Sequence, residues 1–314
     1  MKNNAFLTVD SGGSKTRLGL YALDGALIKE SCAKGFGLAC DSGEALLEAL
    51  PILSDFCDGY LISVAVCNLG GKNKNQMELT LKSLFPDAVI RVFRESEGVV
   101  GLELCKKYGA QVTLMAGTGT IAIAPCGNRT VISGGWGANI SDKGSGYQLG
   151  LDAIRSALDE LDGKEPLSLL TKVLTGIDTP PEPMSAEEYC DLRDGVRRRL
   201  QPLDRAHIAS FAKTVYACAK AGDTRSLDLF DKAGCDLAET ILAASRKANV
   251  ELNCAVVNGG MVNCREFWQD SFEKRLEKEG KSIEIHYLTD GIDEVMRDIA
   301  KIMLKGEKKC FQKA

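Results

Sequence analysis

Three glycine turns in this 314-residue chain carry residue types that can hold a phosphate or a nucleotide. The first is Asp10-Ser11-Gly12-Gly13-Ser14-Lys15-Thr16, which follows the apolar, β-branched run Phe6-Leu7-Thr8-Val9. Glycine permits φ > 0 and lets a ligand approach the main chain closely. Consecutive N–H groups and the hydroxyls of Ser14 and Thr16 can then surround a phosphate. Gly12, Gly13, Ser14, Lys15 and Thr16 are therefore candidate phosphate contacts. Asp10, at the strand end, is the candidate metal ligand, because hydrated Mg²⁺ takes one or two carboxylates plus phosphate oxygens. Taken alone, this turn reads equally well as an ordinary glycine-rich hairpin. Gly117-Thr118-Gly119-Thr120 offers the same phosphate chemistry. Asn258-Gly259-Gly260-Met261 follows a buried strand, where Gly259, Gly260 and Met261 can admit a base or ribose. Each turn is weak evidence alone; the three in this order are more specific. The usual competing signatures are missing: no G-x-x-x-x-G-K-[ST] occurs, and no G-x-G-x-x-G opens a helix after a strand.

The elements that must position these turns are legible from periodicity and punctuation. Residues 6–31 read as three adjacent antiparallel strands, with Asp24-Gly25 as a two-residue hairpin turn. A helix over 42–56 follows, capped by Ser42, then a strand at 61–66 and a helix at 76–84. A strand at 88–93 and a helix at 96–108 complete the order β-β-β-α-β-α-β-α. After Gly109-Ala110 the cycle restarts, with strands at 111–115, 121–124 and 129–133 and a Gly/Thr-rich first turn. A β-turn-β-turn-β unit therefore occurs twice, which is an internal duplication. Residues 146–248 are largely helical, interrupted by Thr179-Pro180-Pro181-Glu182-Pro183. A strand at 254–257, a helix at 265–278, a strand at 283–287 and a helix at 292–304 end the chain. The expected domains are 1–115 and 116–314, with a helical insertion over about 146–250 and a hinge near Gly109–Gly117. The last helix, 292–304, is expected to pack back on the first lobe.

Composition narrows the classes of function. Lys plus Arg total 39 and Asp plus Glu 43, a net charge of -4. That balance gives no general electrostatic reason to expect nucleic acid or an anionic membrane as partner. Arg197-Arg198-Arg199 reads as the solvated face of a helix. The 12 cysteines are scattered without a C-x-x-C pair, so the thiols are expected to be reduced. No run approaches the ~20 apolar residues that cross a bilayer, and the start shows no long apolar signal region. A cytoplasmic protein is expected. His207 and His286 are the only histidines, too few and too far apart in sequence to signal a His-rich metal site or a triad.

In order and spacing, the turns resemble the phosphate-1, phosphate-2 and adenosine motifs of the actin / sugar kinase / Hsp70 superfamily. Within it the sequence most resembles the N-acetylglucosamine kinases and the BadF-type activator ATPases grouped with them. The carrying residues are Asp10–Thr16, Ser63–Gly71, Ala116–Thr120 and the block Gly134-Gly135-Trp136-Gly137-Ala138-Asn139-Ile140-Ser141-Asp142-Lys143-Gly144-Ser145-Gly146-Tyr147. That block is similar to the family's G-G-W-G-x-x-x-G-D-E-G-S-x-Y signature. The resemblance implies an α/β fold of two ribonuclease-H-like (actin-like ATPase) lobes, each with a mixed β-sheet flanked by helices, with a helical insertion in the second. It implies a cleft for ATP and Mg²⁺, with a small sugar at its base. Glu97 matches the family's catalytic Asp, the carboxylate that accepts the hydroxyl proton. The residues alone also allow Ser96 to cap a helix whose positive end favours Glu95 and Glu97.

By the same resemblance, Asp142 matches a second sugar-contacting carboxylate. Gly135, Trp136, Gly137 and Gly146 match the surroundings of an acetamido sugar, and Thr118 the junction of phosphate and sugar. Asn68, Gly70 and Gly71 correspond to an element lining the cleft. Core packing is the alternative for Trp136. Three positions depart from the pattern: Cys40 replaces an Asn, Lys143 replaces a Glu, and Thr289-Asp290-Gly291-Ile292-Asp293-Glu294 replaces a Gly-Ala helix start. No cysteine, Cys105 and Cys126 included, matches the cluster ligands of the activator ATPases. The expected function is ATP-dependent phosphoryl transfer to a small sugar, an N-acetylhexosamine foremost. The alternatives are an activator ATPase of a partner enzyme and a non-catalytic nucleotide- or sugar-binding module. A small sugar is the expected partner; homodimerisation is left open.

Overall fold

The computed structural model describes residues 2–12, 15–34, 44–69, 74–94, 97–138, 140–179, 181–279 and 282–306. Gly13, Ser14, Cys40, Ser42, Gly70, Gly71, Glu95 and Ser96 lie outside the described residues.

Two five-stranded sheets organise the chain. The first holds β1 (Asn3–Ser11), β2 (Lys15–Ala22), β3 (Leu27–Lys34), β4 (Tyr60–Leu69) and β5 (Val89–Arg94) in the order β3-β2-β1-β4-β5. Strand β1 pairs antiparallel with β2 and β2 with β3, whereas β1–β4 and β4–β5 are parallel. The second holds β6 (Val112–Ala116), β7 (Thr120–Cys126), β8 (Arg129–Gly134), β9 (Cys254–Asn258) and β10 (Glu284–Leu288) in the order β10-β9-β6-β7-β8. Counted from its other edge, this sheet repeats the first: three consecutive strands, then two more beyond the first of them. The duplication expected from the sequence is thus present in the strand order.

Sequence pattern explains which strands are central. Residues Ala5–Val9 of β1 and Val64–Leu69 of β4 are buried on successive positions, as strands covered on both faces must be. Leu7, Val9, Leu18, Leu20, Leu53, Met77 and Leu81 belong to one apolar cluster on this sheet. Truncating such a Leu to Ala costs about 2–5 kcal/mol. The helices of this part are α1 (Glu44–Phe56), α2 (Lys74–Leu84), which buries Met77 and Leu81, and α3 (Val99–Tyr108).

The segment after β8 is helical: α4 (Gly146–Leu161), α5 (Leu169–Thr175), α6 (Ala186–Leu200), α7 (Arg205–Ser210), α8 (Ala212–Lys220) and α9 (Thr224–Ala248). Side-chain caps start several of them, Ser145 on α4 and Asp223 on α9 among these. A 3₁₀ helix, Gly260–Phe267, precedes α10 (Gln269–Glu277). The sequence suggested one helix over 265–278; the chain instead kinks at Trp268, which is fully buried and donates its indole N–H to the Met261 carbonyl at 2.9 Å. The last helix, α11 (Gly291–Leu304), packs on β1, β4 and α3.

Compactness divides the chain into one unit of Met1–Thr113, Ile123–Val131 and Asp290–Ala314 and a second of Leu114–Ala122 and Ile132–Thr289. Among the described residues no helix is long and apolar enough to cross a membrane. The described cysteines form no disulfide; Cys57, Cys67, Cys105, Cys218 and Cys254 are buried, while Cys32, Cys190 and Cys235 are exposed.

Candidate active site

In the first unit, parallel pairing sets Asp10 at the end of β1 directly beside Asn68 near the end of β4. The Asn68 amide donates to Asp10 Oδ1 at 2.9 Å, which orients the carboxylate. The buried Thr16 hydroxyl, at the start of β2, donates to Ser11 Oγ at 2.9 Å across the turn. The C-terminal ends of parallel strands are where α/β sheets bind ligands. Gly12 follows β1 there and Lys15 opens β2.

Glu97 lies between β5 and α3, and its environment differs from the helix-end reading. Helix α3 begins at Val99, with Gly98 as a left-handed N-cap (φ 67°) and no side-chain cap. Instead of facing the helix N-terminus, the Glu97 carboxylate accepts two bonds from Lys74 Nζ, at 2.8 and 3.0 Å. It also accepts the Arg94 backbone N–H at 3.2 Å. Partial burial pushes its pKa up, but the Lys74 and Arg94 contacts outweigh that and hold the carboxyl below the usual carboxylate range. Glu97 is therefore an ionised, oriented carboxylate at neutral pH.

In the second unit, the Gly117–Thr120 turn joins β6 to β7 and is tied to the start of α4. Gly146 N–H donates to the Gly117 carbonyl at 2.8 Å and Tyr147 N–H to the Thr118 carbonyl at 3.3 Å. Against this turn lies Asp142, only 2% exposed. Burial raises its pKa, opposed by Arg205 and by the backbone N–H groups of Thr120 and Gly137 that it accepts. Arg205 Nη2 donates to Asp142 Oδ2 at 3.2 Å. A Cβ on Gly119 would sit 3.0 Å from that carboxylate oxygen and 2.7 Å from Arg205, so a glycine keeps the turn seated on the pair. Among the described residues, the buried Thr120 hydroxyl has no hydrogen-bond partner.

The loop from Gly134 to Ser145 carries the remaining substrate-side candidates. Gly134, Gly135 and Gly137 have φ of 76°, 71° and 96°, conformations other residues rarely adopt. They hold Trp136 away from any core: its side chain is 71% exposed, and Ile140 is 77% exposed. Core packing of Trp136 is thereby overturned, and a large indole stands in solvent where it can stack on a ligand. The third turn follows β9. Gly259, at φ 122° and ψ -173°, is pressed against the end of β6, since a Cβ would meet the Ala116 carbonyl oxygen at 2.6 Å. Beside it, Gly260 is open, with nothing within 4 Å of its built Cβ. The Met261 side chain is buried in the core, so only its backbone borders that turn.

Two groups in this arrangement carried no signal in the linear sequence. Arg205 comes from α7, far along the chain from Asp142, and Lys74 from the first turn of α2. The departures from the family pattern also gain structural roles. Burial raises the pKa of Asp236, and the exposed Lys143 nearby partly opposes that rise. Asp293 is buried and accepts the Tyr21 hydroxyl at 2.7 Å and the Thr8 hydroxyl at 3.2 Å, fastening α11 to β1 and β2.

Known proteins give an independent comparison. The chain is 24% identical over 282 residues to an N-acetylmuramic acid/N-acetylglucosamine kinase of Clostridium acetobutylicum, covering 85% of this chain and 89% of that one. It is 33% identical over 120 residues to an N-acetyl-D-glucosamine kinase of Dictyostelium discoideum, 37% of this chain and 32% of that one. A solved structure described as an N-acetylglucosamine kinase of Chromobacterium violaceum shares the fold, with a TM-score of 0.68, 19% identity, and coverage of 94% of this chain and 98% of that one. The sequence profile of the BadF/BadG/BcrA/BcrD ATPase family matches residues 7–292. The two repeated mixed sheets are the two-lobed actin-like ATPase architecture that the resemblance implied, and this chain is a member of the BadF/BadG/BcrA/BcrD ATPase family.

Proposed function

We propose that this protein is an ATP-dependent kinase of small sugars, with N-acetylated hexosamines as its substrate class. The observation that carries the reading is the buried Asp142, seated under the Gly117–Thr120 turn and paired with Arg205, in a segment that leaves the Trp136 indole in solvent. An aromatic face and an oriented carboxylate are what a sugar ring needs, one for its apolar C–H face and the other for its hydroxyls. The similarity of most of the chain to a kinase of N-acetylated amino sugars supports the same reading.

Phosphoryl transfer asks the protein mainly for positioning and electrostatic stabilisation. In this proposal the Gly12–Thr16 and Gly117–Thr120 turns bind phosphate oxygens through backbone N–H groups and the Thr hydroxyls, and Gly259 and Gly260 accommodate the nucleoside. Asp10 offers the hard oxygen chemistry that fits hydrated Mg²⁺, which when bound would neutralise phosphate charge. Asn68 orients Asp10. Glu97, held ionised by Lys74, takes the proton from the sugar hydroxyl onto its carboxylate as that oxygen bonds to the γ-phosphorus of ATP and the bond from that phosphorus to ADP breaks, and later releases the proton to water. Lys74 and the Arg94 N–H keep that carboxylate in one orientation.

The test is a panel of amino sugars assayed for ADP release, with the sugar phosphate identified by mass spectrometry. Glu97→Gln should retain ATP-analogue binding and lose about 10²–10⁴-fold in turnover, the usual contribution of a general base. Intact protein that binds an ATP analogue yet phosphorylates no sugar of the panel overturns the proposal.

A further inference from the structure

Strands β9 and β10 run parallel with Glu284 directly opposite Cys254 and His286 opposite Val256. Opposed residues of a parallel pair share a face, and so do residues i and i+2 of one strand. Cys254, Glu284 and His286 therefore project together at this edge of the second sheet. Their Sγ, carboxylate oxygen and imidazole nitrogen all lie within 4.8 Å of one another, and His286 Nε2 is 3.4 Å from Glu284 Oε1.

We propose that these three side chains form a divalent metal site of the zinc type, completed by a water. The donor set decides the metal class: thiolate and imidazole favour zinc, whereas magnesium and calcium prefer oxygen shells. Bonds of about 2.0–2.3 Å to a tetrahedral ion place ligand atoms about 3.3–3.6 Å apart. The Glu284–His286 separation already fits. The Cys254 thiol, within 4.8 Å of both partners, reaches this spacing by small rotations of the three side chains, and the 71% exposure of Glu284 leaves a path for the ion. Cys254 opens β9, four residues before Asn258, so the site stands about 13 Å along the strand from the nucleotide turn at 3.3 Å per residue. β10 is an edge strand, and an ion bound here would bridge it to β9 and pin their register.

The experiment uses full-length protein stripped with a chelator and titrated with Co²⁺ as a spectroscopic probe. One equivalent should give a thiolate-to-cobalt charge-transfer band that Zn²⁺ displaces, and Zn²⁺ should raise the Tm. Cys254→Ser should abolish the band. His286→Ala and Glu284→Gln, at half-buried and exposed positions, should each weaken binding at least about 10-fold with unchanged circular dichroism. If Cys254→Ser does not fold, His286→Ala decides. Wild-type protein with no one-equivalent thiolate band overturns the proposal, as does a band of unaltered affinity in His286→Ala.

Discussion

The seating of β9 against β6 can be tested by adding a single methyl group. In Gly259→Ala the new Cβ would lie 2.6 Å from the Ala116 carbonyl oxygen, 2.9 Å from its carbon and 3.3 Å from its nitrogen. These are main-chain atoms at the end of a strand and cannot rotate away as a side chain would. The φ of 122° with ψ of -173° is also open essentially to glycine alone, and forcing alanine there costs about 1–3 kcal/mol. Relief requires turning the peptide, which sacrifices the Gly259 N–H bond to the Leu288 carbonyl (3.1 Å), about 0.5–1.5 kcal/mol. Overpacking adds about 1–3 kcal/mol, while alanine's smaller unfolded-state entropy returns about 0.4–1 kcal/mol. With the clash borne in place the net is about 3 kcal/mol, or about 6–12 °C at 2–4 °C per kcal/mol for a unit of this size, and turning the peptide exchanges that cost for the lost hydrogen bond. Gly260→Ala is the matched control, because its Cβ meets nothing within 4 Å and its φ is not positive. It should change stability by less than about 0.5 kcal/mol. Urea midpoints and thermal melts of both variants, with calorimetric titration of an ATP analogue, read the outcome. A Gly259→Ala protein melting within 2 °C of wild type (roughly the effect of 1 kcal/mol), or a Gly260→Ala protein as damaged, would refute the close-approach argument.

Trp136→Ala should leave the urea midpoint unchanged, because the indole packs in no core, while raising the KM for sugar; a lowered midpoint would show that the ring is structural instead. Arg205→Leu leaves the Asp142 charge buried without its partner. A fully buried pair would lose about 3–5 kcal/mol, and Arg205, 30% exposed, lowers this to about 2 kcal/mol. The loss should shrink as pH falls, because burial already raises the Asp142 pKa and a protonated carboxyl needs no cation; equal loss at pH 8 and pH 5 contradicts this. Glu97 has the opposite sign. Its folded-state pKa is lowered, so its stabilisation is complete above the usual value of 4.5 and is lost as pH falls through the folded value. The stability gap between wild type and Glu97→Gln, followed by urea titration, should therefore be constant at neutral pH and close in acid.

Much of the architecture was written in consecutive residues. The glycine turns, the Asp24-Gly25 hairpin and the repeated three-strand unit are local features of the sequence, with Gly25 and Gly259 taking the positive φ that glycine permits, and the strand order reproduces that repeat. The Gly134–Tyr147 block is likewise local, and Gly134, Gly135, Gly137 and Gly144 adopt the positive φ their identity invites, while Gly146 opens α4. Local reasoning failed where a partner comes from elsewhere in the chain. A helix end was one reading of Glu97, yet α3 starts at Val99 and the Glu97 carboxylate turns to Lys74 of α2. Arg205 reaches Asp142 from α7, and no periodicity links residues 142 and 205. The exposure of Trp136 was undecided in sequence, since an apolar ring suits a core and a binding surface equally well. His286 looked solitary until parallel pairing of β10 with β9 brought it beside Glu284 and Cys254. Consecutive residues specified the turns, the repeat and most helix and strand positions, because backbone sterics and solvent exposure act on neighbouring residues. Tertiary structure alone decided which charges meet, since Coulomb and hydrogen-bond energies depend on distance in space and leave no trace in spacing along the chain.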